Sequence, residues 1–74
     1  MHVITHFTQV GAIFCARRKA LRLSQKQVAT RLGLSQNRLS ELESRPETLT
    51  VAQLIALASV LGFALQIGKS EALP

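Results

Sequence analysis

Apolar residues recur at helical spacing in four segments of the chain, and a residue that favours a helix start precedes each segment. A period of about 3.6 with Ser or Thr before the first turn is typical of a short amphipathic helix. Gly33 and Gly62 follow the second and fourth segments, where a left-handed residue suits the end of a helix. The sequence therefore predicts a mainly α fold. The predicted helices are 8–21, 25–32, 36–44 and 51–61, with Thr8, Ser24, Ser35 and Thr50 as N-terminal caps.

The pattern changes after the fourth helix, where apolar residues alternate with small or polar ones. Phe63, Leu65 and Ile67 lie on one face of this segment, and alternation is typical of a β-strand. A weaker alternation over 3–6 predicts a second short strand. Because an unpaired strand edge promotes aggregation, we expect the segment 63–69 to pair with its counterpart in a second subunit.

The length of the chain supports the same expectation. Its 74 residues allow one domain, 1–74, with a core at about 8–62 and a dimerisation strand at about 63–69. A core of this size is marginal without disulfides, a metal or self-association. Cys15 is the only cysteine and forms no metal-ligand spacing with His2 and His6. We therefore expect a homodimer without metal or cofactor.

The fourth helix has an alternative interpretation. Residues 48–68 carry no charge, and a stretch of that length is enough to span a membrane. Three polar residues interrupt it, and a membrane helix would not change to a strand-like period at a glycine. We instead expect no membrane association and one buried stripe on this helix. The stripe consists of Val51, Leu54, Ile55, Ala58 and Leu61.

The net charge of +5 is distributed unevenly along the chain. Residues 1–40 contain seven Lys or Arg and no acid, whereas 41–74 contain two cations and all four acids. A one-sided basic region suits nucleic acid or an acidic lipid surface, although an ordinary basic domain has the same composition. No positive charge precedes the first apolar run, and the only thiol is unpaired, so we expect a cytoplasmic protein.

Residues 25–43 favour one of these alternatives. Ala29, Gly33, Leu39 and Leu42 have the spacing of a helix-turn-helix. A small residue is needed where the two helices cross, glycine permits the turn, and the leucines attach the second helix to the core. A helical hairpin without a nucleic-acid role is the alternative, but such hairpins rarely combine this spacing with an exposed polar face. The motif therefore predicts DNA binding.

The polar face of the third helix contains side chains that can read bases in the major groove. Gln and Asn pair with adenine and Arg with guanine, and the N-terminal end of a recognition helix reaches the base edges. The predicted base contacts are Gln36, Asn37, Arg38 and Ser40. The start of the second helix suits phosphate, because helix N-termini bind anions. The predicted phosphate contacts are Ser24, Gln25, Lys26, Ser35 and Arg45.

Catalytic groups are scarce in this sequence. Four acids leave little for acid–base chemistry, and there is no glycine-rich phosphate loop. Cys15 has no activating histidine near it in the sequence. We therefore expect a binding protein and not an enzyme.

The sequence resembles the Cro/C1-type (XRE) helix-turn-helix family and, within it, is most similar to HipB-like antitoxins. The family signature is carried by Leu23-Ser24-Gln25, Val28-Ala29, Leu32-Gly33-Leu34-Ser35-Gln36, Leu39-Ser40 and Leu42-Glu43. The HipB-like features are Thr8-Gln9-Val10, Arg18 before Gln25, Thr48-Leu49-Thr50 and a strand in place of a fifth helix. The likeness covers about 8–69. Arg22 departs from it, since the family often has glycine there, so this arginine must be strained or the turn must differ.

The resemblance implies a homodimer whose C-terminal strands pair through Phe63, Leu65 and Ile67. It implies that the protein binds a palindromic double-stranded operator and represses its own operon. That operon would also encode a HipA-like serine/threonine kinase toxin, which the antitoxin binds and neutralises. An ion pair between Arg18 and Glu43 is also implied, joining the first helix to the end of the third.

Two other functions remain open at this point. A stand-alone Cro/C1-type repressor would bind DNA in the same way without a toxin partner. A protein-interaction or membrane-anchored module would use the basic half of the chain without sequence preference. A kinase-like neighbouring gene distinguishes the first two possibilities, and binding that survives competitor DNA excludes the third.

Overall fold

Residues 4–66 are the part of the chain that the computed structural model describes, and they contain the four predicted helices. This confirms the mainly α fold. A short 3-10 turn lies between the third and fourth helices. The elements are α1 at Phe7–Ala20, α2 at Gln25–Leu32, α3 at Gln36–Ser44, the 3-10 turn at Pro46–Thr48 and α4 at Val51–Val60.

Three of the four helices begin at the predicted cap. The hydroxyl groups of Ser24, Ser35 and Thr50 each accept a backbone N–H from the first turn, at 3.0, 3.1 and 3.1 Å. Each bond satisfies a donor that the helix itself leaves unpaired. The starts of α2, α3 and α4 are thus determined by local chemistry.

The start of α1 differs from the prediction. Thr8 lies inside the first turn, and His6 occupies the cap position. The reason is Gln9, whose side-chain oxygen accepts the backbone N–H groups of Thr5 at 2.7 Å and His6 at 2.9 Å. Gln9 thereby bonds the N-cap residue as the third residue of a capping box does, and the helix begins before Thr8.

The core lies where the four helices meet. Its buried apolar residues are Phe14, Val28, Ala29, Leu39, Leu42, Leu57, Ala58 and Leu61. The inward face of α4 differs from the predicted stripe, because Leu57 is buried while Val51 and Ile55 are exposed. The apolar residues of α4 occur on all of its sides, so their spacing alone does not identify the face that packs against the core.

α1 crosses the C-terminal end of α3 at Gly11. A Cβ atom at this position would collide with the backbone carbonyl oxygen of Glu43 and would lie 3.3 Å from Cγ of Pro46. The absence of a side chain therefore permits the close approach of α1 to the end of α3.

Three helices end at a residue with a left-handed backbone. Gly33 and Gly62 have φ values of 69° and 77°, and Arg22, which follows α1, has a φ of 57°. After each of them, the next N–H bonds back to a helix carbonyl, as in a Schellman motif. Arg22 thus adopts the glycine conformation of the family pattern, which costs a non-glycine residue about 1–2 kcal/mol.

No strand occurs at either end of the described chain. Residues 63–66 and 4–6 have no strand pairing within this chain. Ile67 and the rest of the predicted strand 63–69 lie outside the described residues, as does Val3, so strand pairing stays a prediction. Within residues 4–66, α4 is ten residues long, and no helix is long and apolar enough to span a membrane.

Candidate nucleic-acid interface

α2 and α3 pack as the spacing of their residues requires. Ala29 is 1% exposed, and Leu39 and Leu42 are also buried. Gly33 turns the chain after α2, and the Ser35 cap starts α3 directly afterwards. Residues 25–44 therefore form a helix-turn-helix.

The start of α3 presents amide and hydroxyl groups to solvent. Gln36, Asn37 and Ser40 are all exposed, and we call these three residues the recognition surface. Ser35 is exposed too, but its hydroxyl is occupied as the helix cap. An amide carries a donor and an acceptor together, which matches the N6 and N7 edge of adenine. The recognition surface therefore has the chemistry of a base-reading site.

Arg38 differs from the residues of the recognition surface, because protein groups bind its guanidinium. Its Nη1 lies 2.6 Å from Glu41 Oε1. Its Nη2 donates to the carbonyl oxygen of Thr48 at 3.1 Å and to Gln53 Oε1 at 3.4 Å. These contacts connect α3 to the 3-10 turn and to α4. A contact of Arg38 with guanine would compete with these bonds, and it stays a prediction.

The start of α2 carries three of the predicted phosphate contacts, and the side chains of Ser24 and Gln25 are bonded within the protein. Ser24 is engaged as the cap, and its own N–H donates to the Gln27 side chain at 2.8 Å. Gln25 is held from the other side, since its Nε2 donates to Glu43 Oε1 at 2.9 Å. The same nitrogen carries a second hydrogen that can donate to a phosphate oxygen. The Glu43 contact thereby orients Gln25 before DNA is bound.

Lys26 and Arg45 are the cations of the predicted phosphate set, and both are exposed. Arg45 Nε lies 3.6 Å from Glu47 Oε1, in a solvent-exposed pair of little strength. Lys26 adds its charge to the N-terminal end of α2, which is itself partly positive. Both side chains can therefore reach for phosphates without breaking a buried contact.

Arg18 and Glu43 form an ion pair that joins α1 to the end of α3. Arg18 Nε lies 2.7 Å from Glu43 Oε2, and Arg18 is 8% exposed. Arg18 also donates to the carbonyl oxygen of Leu23 at 2.8 Å. The hydrogen bonds with Glu43 raise the pKa of Arg18 above its usual value. With Gln25, this pair connects three helices.

The sequence analysis missed the packing of Gly11 and the protein partners of Arg38. Both depend on residues distant in the chain, which periodicity does not reveal. One signal was available for Gly11: glycine inside a helix costs about 1 kcal/mol relative to alanine, so its presence there suggests a packing requirement.

This geometry is that of a helix-turn-helix DNA-binding domain. A family model described as helix-turn-helix matches residues 16–67, well over half of the chain. The chain therefore belongs to the Cro/C1-type (XRE) helix-turn-helix family and is a sequence-specific DNA-binding transcription regulator. No curated protein matches it. The individual base and phosphate contacts remain predictions.

Proposed function

We propose that the chain is a transcriptional repressor that binds a palindromic operator as a homodimer. The recognition surface supplies the contacts with bases, and Gln25, Lys26 and the start of α2 supply contacts with phosphates. The protein acts in the cytoplasm by binding and not by catalysis.

The observation that supports the dimer is an uncharged apolar surface on α4 and the segment after it. On α4, Val51 and Ile55 are 72% and 54% exposed, and we call the exposed apolar side of this helix the α4 face. In the segment after it, Leu65 is 47% exposed. Residues 48–66 contain no charged side chain, whereas the chain as a whole carries +5. Two copies therefore repel each other least along this surface. Burial of each such side chain contributes about 1.5–3 kcal/mol, which is enough to support a small core.

Pairing of the segments that contain Phe63, Leu65 and Ile67 across a two-fold axis is the arrangement that we favour. It satisfies the backbone edges of both segments and covers Leu65. A two-fold axis of this kind places the two α3 helices about 34 Å apart, one turn of DNA. Each half-site of a palindromic operator then faces one recognition surface.

Substitutions on α2 and α3 test this proposal by separating base reading from phosphate binding. Gln36→Ala and Asn37→Ala should each lose about 1–3 kcal/mol of discrimination at particular base pairs. Lys26→Ala should weaken operator and random DNA alike and reduce the salt dependence. Affinities for operator duplexes with single base-pair changes measure these effects. Equal losses on operator and random DNA for all three variants would contradict the assignment.

Arg38→Ala provides a comparison on the same helix. Its guanidinium binds Thr48 and Gln53. We therefore expect the variant to lower the melting temperature while base preference stays as in the wild type. A changed base preference with unchanged stability would indicate that Arg38 contacts a base.

We further propose that this repressor is the antitoxin of a HipBA-like type II toxin–antitoxin operon and neutralises a HipA-like kinase. Support comes from the HipB-like segments 8–10 and 48–50. It also comes from the chain after α4, which forms no helix up to residue 66, whereas other members of the family have a fifth helix there. Co-purification with the neighbouring gene product tests the proposal. A kinase that the chain retains and inhibits supports it, and an unrelated neighbour favours the stand-alone Cro/C1-type repressor.

A further inference from the structure

Arg17 connects the end of α1 to the end of α4. Its Nε donates to the carbonyl oxygen of Leu61 at 2.9 Å, and its guanidinium carbon lies 5.8 Å from the centre of the Phe63 ring. That ring stacks on the buried Phe14, with centroids 5.9 Å apart. One arginine therefore binds both the carbonyl of the C-cap residue of α4 and the first aromatic residue after the helix.

The chemistry of a helix end favours this contact. The last carbonyl groups of a helix lack partners within the helix and carry partial negative charge. A guanidinium both donates hydrogen bonds to them and offsets that charge. Gly62 reverses the chain beside it, and a Cβ at Gly62 would lie 3.4 Å from Nη2 of Arg17. A planar guanidinium that binds a carbonyl and stacks on a ring holds one geometry better than a flexible ammonium does. Together with the backbone bond from Phe63 N–H to the carbonyl oxygen of Ala58 at 2.8 Å, Arg17 therefore helps to set the direction in which the chain leaves α4.

We propose that Arg17 is a positioning residue that sets the separation of the two recognition surfaces in the dimer without touching DNA. This inference rests on the proposed function, in which the segment after α4 joins the subunits. Arg17 ties that segment to α1, and Arg18 and Glu43 tie α1 to α3. Each α3 thus takes a fixed orientation about the two-fold axis. Without Arg17 the segment is held less firmly, and the dimer then discriminates less between operators of different half-site spacing.

The test compares Arg17→Gln with Lys19→Gln, because both changes remove one cation from the last turn of α1 and Lys19 is exposed. The probe is the palindromic duplex that the wild-type protein selects from a random pool, together with duplexes whose half-sites are moved by single base pairs. Arg17→Gln should lose affinity for the selected spacing about tenfold, the usual effect of one hydrogen bond to a charged group. Its affinity for the other spacings should change little, and Lys19→Gln should keep the wild-type preference.

Arg17→Lys distinguishes positioning from simple loss of stability. It keeps the charge and the stem but not the planar fork, so it should fold and still lose the preference for one spacing. A thermal melt followed by circular dichroism checks that each variant is folded. Arg17→Lys also replaces Arg17→Gln in the binding assay if the latter does not fold.

Two results would overturn the inference. One is a spacing preference in Arg17→Gln and Arg17→Lys equal to that of the wild type. The other is an equal loss by Arg17→Gln on operator and random DNA, with a salt slope lower by about one, which would make Arg17 a phosphate contact. A wild-type protein that selects no palindromic duplex contradicts the proposed function itself, and the inference falls with it.

Discussion

Two regions of the molecule differ in how completely one chain pairs or buries their side chains. One is the junction of α1 with α3, and the other is the α4 face. At the junction, Arg18, Glu43 and Gln25 bind one another through their charged and polar atoms. In the described part of the chain no buried side-chain nitrogen or oxygen lacks a hydrogen-bond partner. The α4 face instead presents large apolar side chains, Val51 and Ile55 among them, to solvent.

Under the proposed function, this difference separates the part that one chain completes from the part that a second copy would cover. The junction fixes α3 relative to α1, so a single chain already holds its recognition surface in place. The α4 face exposes apolar area of the kind that marks an interaction surface. Stability of one subunit and binding to the operator should therefore depend on different residues, and substitutions can separate them.

Glu43→Gln should have the largest effect, because it removes the charge that partners a buried guanidinium. Loss of one member of a mostly buried ion pair costs about 3–5 kcal/mol. Glu41→Gln is the matched control in the same helix. Its pair with Arg38 is more exposed and should cost about 1 kcal/mol or less. Thermal unfolding measures both, and a Glu43→Gln midpoint close to that of the wild type would show that this pair does not hold the junction.

Gly11→Ala should have the next largest effect, at the same junction. The new Cβ collides with the carbonyl oxygen of Glu43, so α1 and α3 must move apart. Added volume at a packed site costs about 1–3 kcal/mol. Ala12→Ser, at an exposed position of the same helix, should stay within about 0.5 kcal/mol of the wild type in urea unfolding. Equal stability of the two variants would mean that the close crossing is dispensable.

Arg22→Gly should have the smallest effect, with the opposite sign. Glycine removes the strain of the left-handed backbone, and this outweighs the destabilising effect of a more flexible unfolded chain. We therefore expect the free energy of unfolding to increase by roughly 0.5–1 kcal/mol. The melting temperature should rise by about 2–8 °C. Arg31→Gly is the control, because it removes the same side chain from the last turn of α2, where the backbone is helical. It should lower the free energy of unfolding by up to about 1 kcal/mol. A loss in both variants would indicate that the Arg22 side chain contributes a contact that outweighs its backbone strain.

Most of the fold can be predicted because its signals are local. Ser24, Ser35 and Thr50 start helices through a bond to their own first turn. Gly33 and Gly62 end helices through their backbone freedom. A local contact also explains why α1 begins before the predicted cap, since the side chain of Gln9 bonds the N–H groups of Thr5 and His6.

The remaining features depend on contacts between distant parts of the chain. Arg38 has the chemistry of a guanine-reading residue, and only the folded chain brings Thr48 and Gln53 within its reach. The inward face of α4 could not be identified, since an all-round apolar helix fits the core in more than one rotation. Gln36 and Asn37 were predicted from their place on α3, and the structure leaves both exposed.

The central claim is that operator binding requires association through the α4 face and the segment after it. Leu65→Glu places a charge in that surface, and Gln66→Glu places the same charge on the next, oppositely directed residue of a paired strand. In an isolated chain both substitutions are at the surface, so each should change the free energy of unfolding by less than about 0.5 kcal/mol. Sedimentation equilibrium with and without the operator compares them. We predict that Leu65→Glu is a folded monomer without specific operator binding, while Gln66→Glu is a dimer that binds. A Leu65→Glu protein that stays dimeric and binds the palindromic operator with full affinity would contradict the claim.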